Sequence, residues 1–382
     1  MHRLMASAYA HGMRVLLTIP SFSREFGGPS SRVFPMAEAL RERGHDVRVV
    51  GCGNSGGRLG AVELPVLFQF HATPMPRSLG SLPRLVRGSD VVHSIGFRDL
   101  STFAGLIAGR AGIPFVLEPV GMHGYRGRSG RLKGLFDRSL GRRLVDSAAA
   151  VIAASRLEAE ELAAGGVSSE RIHIRPNAID VADLLPLPTR GAFRRRAGIP
   201  EDVPLVLALG RIVEGKGLRQ LVRVLEQLDG AFVAIVGPDS GDGTLEELVA
   251  AKRDMAHSER LVLQPGGLWG RDKASAFADA DAFCLFSRSE SFGNAAAEAA
   301  AVGLPVVVSA ECGVADLLTE IAPDSTVVAP YGDRSALAEA LGAVRQPGKR
   351  AAALERATDV LSALSWPALM ERQLDIYKGA QA

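Results

Sequence analysis

From one end to the other the chain alternates short runs rich in Val, Ile, Leu and Ala with amphipathic stretches of helical length. The first run, residues 13–19 (M-R-V-L-L-T-I), shows no polar alternation. A strand that is apolar on both faces belongs to a parallel sheet whose crossover helices cover both sides. Repeated along the chain, this pattern restricts the fold to the α/β class. Strands are expected over 13–19, 46–51, 61–68, 90–94, 114–118, 149–153 and 171–175. Helices are expected over 32–43, 99–111, 132–145 and 156–164.

The alternation breaks between 176 and 204, where P-N-A-I-D and L-L-P-L-P-T-R-G are proline-rich and aperiodic. A second series follows, with strands over 205–209, 231–236, 261–263, 281–286, 304–308 and 326–328 and a helix opening at Leu218. The break divides the chain into a first domain over 1–185, a linker over 186–203, a second domain over 204–365 and a final amphipathic helix over 366–382. A length of 382 residues fits two domains rather than one, and 47% hydrophobic residues suffice for two cores. Residues 1–12 lack a long apolar stretch and are expected as a loose extension rather than a signal peptide. No run approaches the roughly 18 apolar residues of a membrane span. Three cysteines, Cys52, Cys284 and Cys312, are too few and too scattered for a disulfide framework or a cysteine metal site, which suits a reducing cytoplasm.

Net charge is only +2, and no nucleic-acid partner is expected. The charge is uneven. Residues 1–185 carry 23 Lys+Arg against 16 Asp+Glu, and residues 186–382 carry 44 − 23 = 21 against 42 − 16 = 26. Seven of the basic residues fall within 124–145, where Leu132, Leu135, Phe136, Leu140 and Leu144 recur at helical spacing. Such a segment is either a solvated surface helix or a foothold on an anionic membrane or acceptor.

Chemistry gathers at strand ends. In the first domain, Gly27-Gly28 at the first strand-to-helix turn lets backbone approach a ligand closely, but it is not G-x-G-x-x-G and carries no dinucleotide fingerprint. His93 and Glu118 fall where open α/β sheets bind ligands. In the second domain, L-G-R-I-V-E-G-K-G-L places Arg211 and Lys216 in a glycine-flanked loop, two cations that suit a diphosphate. Further on, S-E-S-F-G-N-A-A-A-E runs from a loop into a helix of small residues. That helix is expected over 295–302, with an N-cap at the end of Ser291-Phe292-Gly293-Asn294. Its N-terminus offers unpaired N–H groups and partial positive charge. Glu290 and Glu298 bracket it at about 8 Å or somewhat more, room for a diphosphate with a sugar at one end and a ribose at the other. Asp279-Ala280-Asp281 spells D-x-D, but it lies at a strand entry and is read as coincidence rather than a metal motif.

G-R-x4-K-G, V-G-P-D and E-S-F-G-N-x3-E together resemble the GT-B glycosyltransferases of family 4. The first domain supports the resemblance with its G-G loop, G-H-D-V, D-V-V-H, A-A-S-R-L-E-A-E-E-L and P-N-A-I-D, so it extends over nearly the whole chain. It implies two Rossmann-like doubly wound parallel-sheet domains facing a central cleft, with the last helix crossing back onto the first domain. The reaction it implies is transfer of a sugar from a nucleoside-diphosphate sugar with retained anomeric configuration and without a metal. UDP-sugars are placed ahead of GDP-mannose, and the acceptor is a glycan, a lipid-linked species or a small natural product. Arg211 and Lys216 would bind the diphosphate, Glu290 the transferred sugar and Glu298 the ribose. Phe292, Gly293 and Asn294 would cradle phosphate and sugar, Gly28 would approach the donor, and Gly237 and Leu268 would border the base. His93 completes the catalytic set. A cytoplasmic location follows, with peripheral contact at the inner membrane face through 124–145. The chain departs from the pattern at Val120-Gly121-Met122, where relatives carry a His, and at Ile95, where many carry a second His; the role of His123 stays open with them. A sugar-nucleotide epimerase and a non-catalytic nucleotide-sugar binder share the architecture. A glycosidase using Glu290 and Glu298 fits least, since such a pair needs no diphosphate cradle.

Overall fold

In the interior of the first sheet lies Arg14–Ser21 (β1), with seven of its eight residues buried. The structure, a computed structural model, describes residues 12–23, 28–70, 73–121 and 137–382. Residues 1–11 of the extension expected over 1–12, Gly27, Met122, His123 and most of the basic segment lie outside the described residues.

The chain forms two units, one joining residues up to Ala178 with Trp366–Ala382, the other Ile179–Ser365. In the first, β1 is followed by Asp46–Cys52 (β2), Ala61–Leu64 (β3), Val66–Phe70 (β4) and Thr73–Pro76 (β5). Val91–Ile95 (β6), Phe115–Glu118 (β7), Ala150–Ala153 (β8) and Ile172–Ile174 (β9) complete it. The seven-stranded sheet runs β3-β2-β1-β6-β7-β8-β9, reversing direction at β1 as doubly wound sheets do. Alternate residues of β1 serve two cores. Val15, Leu17 and Ile19 pack with Val33, Ala37, Leu40, Met370 and Tyr377, while Leu16 faces Leu100, Ala104 and Phe115. The C-terminal helix Trp366–Gln381 is thus part of this unit's interior.

Three expectations for this unit are corrected. Residues 61–68 are not one strand: Pro65 has no N–H to offer a ladder, so β3 joins the large sheet and β4 pairs antiparallel with β5. The first helix starts at Gly28 rather than 32, running Gly28–Arg41. Of the helix expected over 132–145, the described part is a π turn, Asp137–Gly141, leading into Arg142–Ser147.

The second unit holds Leu205–Leu209 (β10), Phe232–Gly237 (β11), Leu261–Pro265 (β12), Ala282–Leu285 (β13), Val306–Ser309 (β14) and Thr326–Ala329 (β15). All pair in parallel in the order β12-β11-β10-β13-β14-β15, the 3-2-1-4-5-6 order of a Rossmann-like sheet. Order reverses at β10, which puts the switch point, where sheets of this kind bind ligands, at the carboxyl ends of β10 and β13. The 186–203 segment contains a short helix, Ala192–Ala197, bounded by left-handed Gly191 and Gly198. Its anchor is the D-x-D pair. Asp279 accepts from the Gly191 and Arg194 amides, and Asp281 accepts from Arg190 at 2.7 Å, Arg194 at 2.9 Å and the Leu205 amide at 2.8 Å. Those carboxylates stabilise the fold locally.

Candidate active site

Two glycines bring the second unit's chemistry together. Gly217 has a left-handed φ of +66°, and a Cβ there would sit 1.9 Å from the Phe286 carbonyl oxygen. Only glycine lets the loop after β10 lie this tightly on the end of β13. The Arg288 amide donates to the Gly215 carbonyl at 2.7 Å and fastens the two loops together. Lys216, between these contacts, therefore reaches Glu290 and forms an ion pair with it. Gly237 plays the same part between β11 and β10: its φ is +155°, and a Cβ would lie 1.8 Å from the Gly210 carbonyl oxygen.

The loop that carries Glu290 is itself anchored. Its amide donates to the Glu311 carbonyl at 3.0 Å, its carbonyl accepts from Gly313 at 2.8 Å, and the Val314 amide donates to the Phe292 carbonyl at 2.7 Å. The Ser309 hydroxyl donates to the Ser287 carbonyl at 2.6 Å, and the Cys312 thiol lies 3.3 Å from Ser309. Phe292 is buried and plugs the loop into the core. The residue expected as N-cap, Asn294, is instead the first residue of the helix Asn294–Ala301, and the cap position is left-handed Gly293 with no side-chain cap. The Ala296 and Ala297 amides donate to the Gly293 carbonyl at 3.0 and 3.1 Å, and the side chains of Ala295, Ala296 and Ala297 keep this first turn small.

Glu298, on that helix, is paired with Lys273 of the helix Gly270–Asp279. Both ion pairs are mostly shielded, with side-chain exposures of 22% for Lys216 and Glu290, 17% for Lys273 and 18% for Glu298. Each pair is formally neutral. Arg211 is exposed and, among the described residues, has no carboxylate within ion-pair distance. Leu268 is half-buried in the loop between β12 and the Gly270–Asp279 helix. Arg211, Lys216, Gly237, Leu268, Glu290, Phe292, Gly293, Asn294 and Glu298 all lie at carboxyl ends of strands in this one sheet or in the helix after β13. Among the described residues no group of three or more His, Cys, Asp and Glu is arranged to hold a metal ion.

The first unit has a different polar centre. His93 is expected at a strand's carboxyl end beside the site; it lies mid-strand in β6, wholly buried, with Nδ1 2.9 Å from the Tyr377 hydroxyl and Nε2 3.4 Å from Glu118. Burial holds its imidazole below the ordinary value, against the pull of Glu118. Glu118, the last residue of β7, binds Arg32 at 2.8 Å through Oε1 and Arg175 through Oε2. Arg32 also donates to Asn177 at 2.6 Å. Burial alone would raise the Glu118 carboxyl, yet the two guanidiniums hold it well below its usual range. Gly28 opens the helix that carries Arg32, and its carbonyl accepts from Ser31 and Arg32. These observations make His93 part of an internal charge network. Its partners Arg32 and Tyr377 escape a sequence reading because each is distant along the chain and belongs to no motif.

Similarity to known proteins bears on the family and the fold. A model of the glycosyl transferase 4-like domain matches residues 27–178, and one of the glycosyl transferases group 1 matches residues 189–359. The D-inositol 3-phosphate glycosyltransferase of Xylanimonas cellulosilytica is 34% identical over 247 residues, 62% of this chain and 58% of that protein. The chain therefore spans less than two-thirds of that relative's length. The GDP-mannose-dependent alpha-mannosyltransferase of Mycobacterium tuberculosis is 27% identical over 392 residues, 97% of each chain. Among solved structures, Anabaena Alr3699/HepE in complex with UDP-glucose superposes with a TM-score of 0.75 at 17% identity, covering 96% of this chain and 99% of that one. The sucrose-phosphate synthase of Thermosynechococcus elongatus superposes at 0.70 with 20% identity, covering 96% and 98%. At these identities the structures speak for the fold alone, and the two domain models, met in order along one chain, speak for the family. The chain belongs to the family 4 glycosyltransferases of GT-B fold.

Proposed function

We propose that the protein moves a sugar from a nucleoside-diphosphate sugar to an acceptor hydroxyl with retention of anomeric configuration. The observation that carries this reading is the pair of lysine–carboxylate contacts, Lys216–Glu290 and Lys273–Glu298, flanking the uncapped N-terminus of the helix Asn294–Ala301. In this reading the diphosphate lies on the first amides of that helix, with Arg211 as a two-pronged donor and Lys216 as a point charge. Negative charge that develops on the departing diphosphate meets fixed donors that need not reorganise. Lys216 keeps Glu290 oriented toward the hydroxyls of the transferred sugar, while Glu298 takes the ribose. The acceptor hydroxyl attacks from the face that the diphosphate leaves, and a phosphate oxygen takes its proton. Arg211, Lys216 and the helix N-terminus supply the countercharge, so the step is proposed to run without a metal ion.

The donor base is an open choice between uridine and guanosine. The Anabaena fold neighbour is described with UDP-glucose, and the mycobacterial relative is named for GDP-mannose. For the acceptor, the name of the Xylanimonas relative supports a phosphorylated polyol, and the phosphatidyl-myo-inositol mannosyltransferase of Mycolicibacterium smegmatis, 28% identical over 393 residues, supports a lipid-linked one. No helix among the described residues is long and apolar enough to cross a membrane.

The test is thermal stabilisation by UDP, GDP and ADP of the wild type, Glu298→Ala and Arg211→Ala, followed by nucleotide release with candidate acceptors. A nucleotide that binds the native state raises its melting point by mass action. One nucleotide should stabilise the wild type and neither variant, and its release from the cognate donor should require an acceptor. Donor consumption without acceptor would indicate an epimerase, and binding without turnover a nucleotide-sugar binder.

A further inference from the structure

The motifs single out Glu298 but give no hint of the lysine that holds it. Lys273 lies one turn into the helix Gly270–Asp279, 25 residues before its partner along the chain. Its ammonium contacts Glu298 Oε2 and sits 5.7 Å from the Phe277 ring centroid, so both the charged head and the stem are seated. With 17% and 18% of the side chains exposed, water competes weakly for either group. A glutamate has three side-chain torsions, and an unrestrained one must freeze them when it receives a ligand. Here they are fixed beforehand. Oε1 and the second lone pair of Oε2 remain as acceptors, a set matched to two neighbouring hydroxyls.

We propose that Lys273 is a positioning residue for ribose recognition: acting through Glu298, it holds the carboxylate ready for the 2′- and 3′-hydroxyls of the donor nucleotide. The inference rests on the nucleotide site proposed above and adds to it a residue that no motif marks. It makes the preference for a full ribose a property of a pair joined across two helices.

The test is calorimetric affinity for UDP, GDP and ADP, and for the 2′,3′-dideoxy form of whichever binds. It is run on the wild type, Lys273→Met, Lys273→Arg, Glu298→Gln and the double variant K273M/E298Q. Lys273→Met should weaken binding of the ribonucleotide about tenfold, the scale of one charge-assisted hydrogen bond partly lost. It should leave the dideoxy form within about twofold, and Lys273→Arg should restore most of the loss. In the Glu298→Gln background, adding Lys273→Met should change little, since the two act as a unit. Equal losses for ribo- and dideoxynucleotide would overturn the inference in favour of a purely structural lysine, and so would no loss at all. A wild type that binds none of the three nucleotides sinks the proposed function itself, an outcome distinct from either of those. Should Lys273→Met melt early, Lys273→Gln, which keeps a polar head, carries the same comparison.

Discussion

Glu118 and Arg175 form an ion pair inside the first unit, with side-chain exposures of 1% and 0%. Arg32 meets the other carboxylate oxygen at 2.8 Å, so one negative charge balances two buried guanidiniums. Removing that charge should be costly. Glu118→Gln leaves two buried cations without their counter-ion, and the expected loss is about 3–5 kcal/mol of unfolding free energy. Urea titration followed by circular dichroism measures it. The linkage has a definite sign: because the folded carboxyl is held well below its ordinary range, its stabilising contribution is present above the unfolded value near 4.5. That contribution fades as pH falls through the folded value. A variant as stable as the wild type at pH 7 would show that the network is not what holds this unit.

Tyr377 extends the same network into the last helix through its 2.9 Å contact with His93. Tyr377→Phe keeps the ring in the core and removes only the hydroxyl. A buried imidazole nitrogen then loses its partner, at a cost of about 1–2 kcal/mol. Hydrogen exchange on β1 and β6 should rise in this variant, because Leu17 pairs with His93 across those strands. Unchanged protection would mean that the helix is held by Trp366, Met370 and Ile376 alone.

Gly217→Ala tests the loop contact that brings Lys216 to Glu290. The added methyl meets both an unfavourable backbone conformation and the Phe286 carbonyl oxygen 1.9 Å away. Destabilisation of about 2 kcal/mol or more is expected, together with weaker nucleotide binding as the lysine is displaced. Lys216→Met separates the two effects. It preserves the loop and should lower kcat about a hundredfold or more, the usual consequence of removing a fixed donor to developing negative charge. Stopped nucleotide release with an unshifted melting point is the expected signature.

Much of the fold was legible because parallel strands announce themselves as unbroken apolar runs. Leu205–Leu209 and the helix Arg156–Ala164 fall where periodicity places them. The hairpin of β4 and β5 was not, since a single proline, Pro65, divides what reads as one strand. At the site, the sequence marks Arg211, Lys216, Glu290 and Glu298 through glycine spacing and a small-residue helix. It cannot show that Lys216 and Glu290 touch, because that depends on a carbonyl, Phe286, admitting a glycine. Lys273 lacks any local signal, and a lysine in the first turn of an amphipathic helix reads as solvated. His93 misled for a related reason: an isolated histidine near a strand's end looks like a site residue, and only its partners, up to 284 residues away, disclose an internal role.

Glu158 gives the chain its clearest pH dependence near neutrality. It lies in the first turn of the helix Arg156–Ala164, whose N-cap Ser155 accepts from the Glu158 amide at 3.1 Å through its hydroxyl. Its carboxylate accepts from Ala154 at 2.7 Å and from Gly121 at 2.6 Å, bridging the end of β8 to the turn after β7. That turn is strained: Val120, a β-branched residue, has φ of +50°. Burial pushes the Glu158 carboxyl up to about 7, the two amides resist, Glu118 adds to the rise and Arg32 opposes it. A carboxyl whose folded value is raised binds more protons native than unfolded between about 4.5 and 7. Its contribution is therefore full below 4.5 and is lost as pH rises through 7, by about 3 kcal/mol at most. His93, held low by burial, acts in the opposite direction below 6.5. The useful quantity is thus the difference in unfolding free energy between wild type and Glu158→Gln at each pH, in which His93 cancels. That difference should move against the wild type between about pH 4.5 and 7, reach its halfway point at about 5.7 and level off above 7. A flat difference across this range would place the Glu158 carboxyl at its ordinary value and leave the Val120–Gly121 turn held by backbone geometry alone.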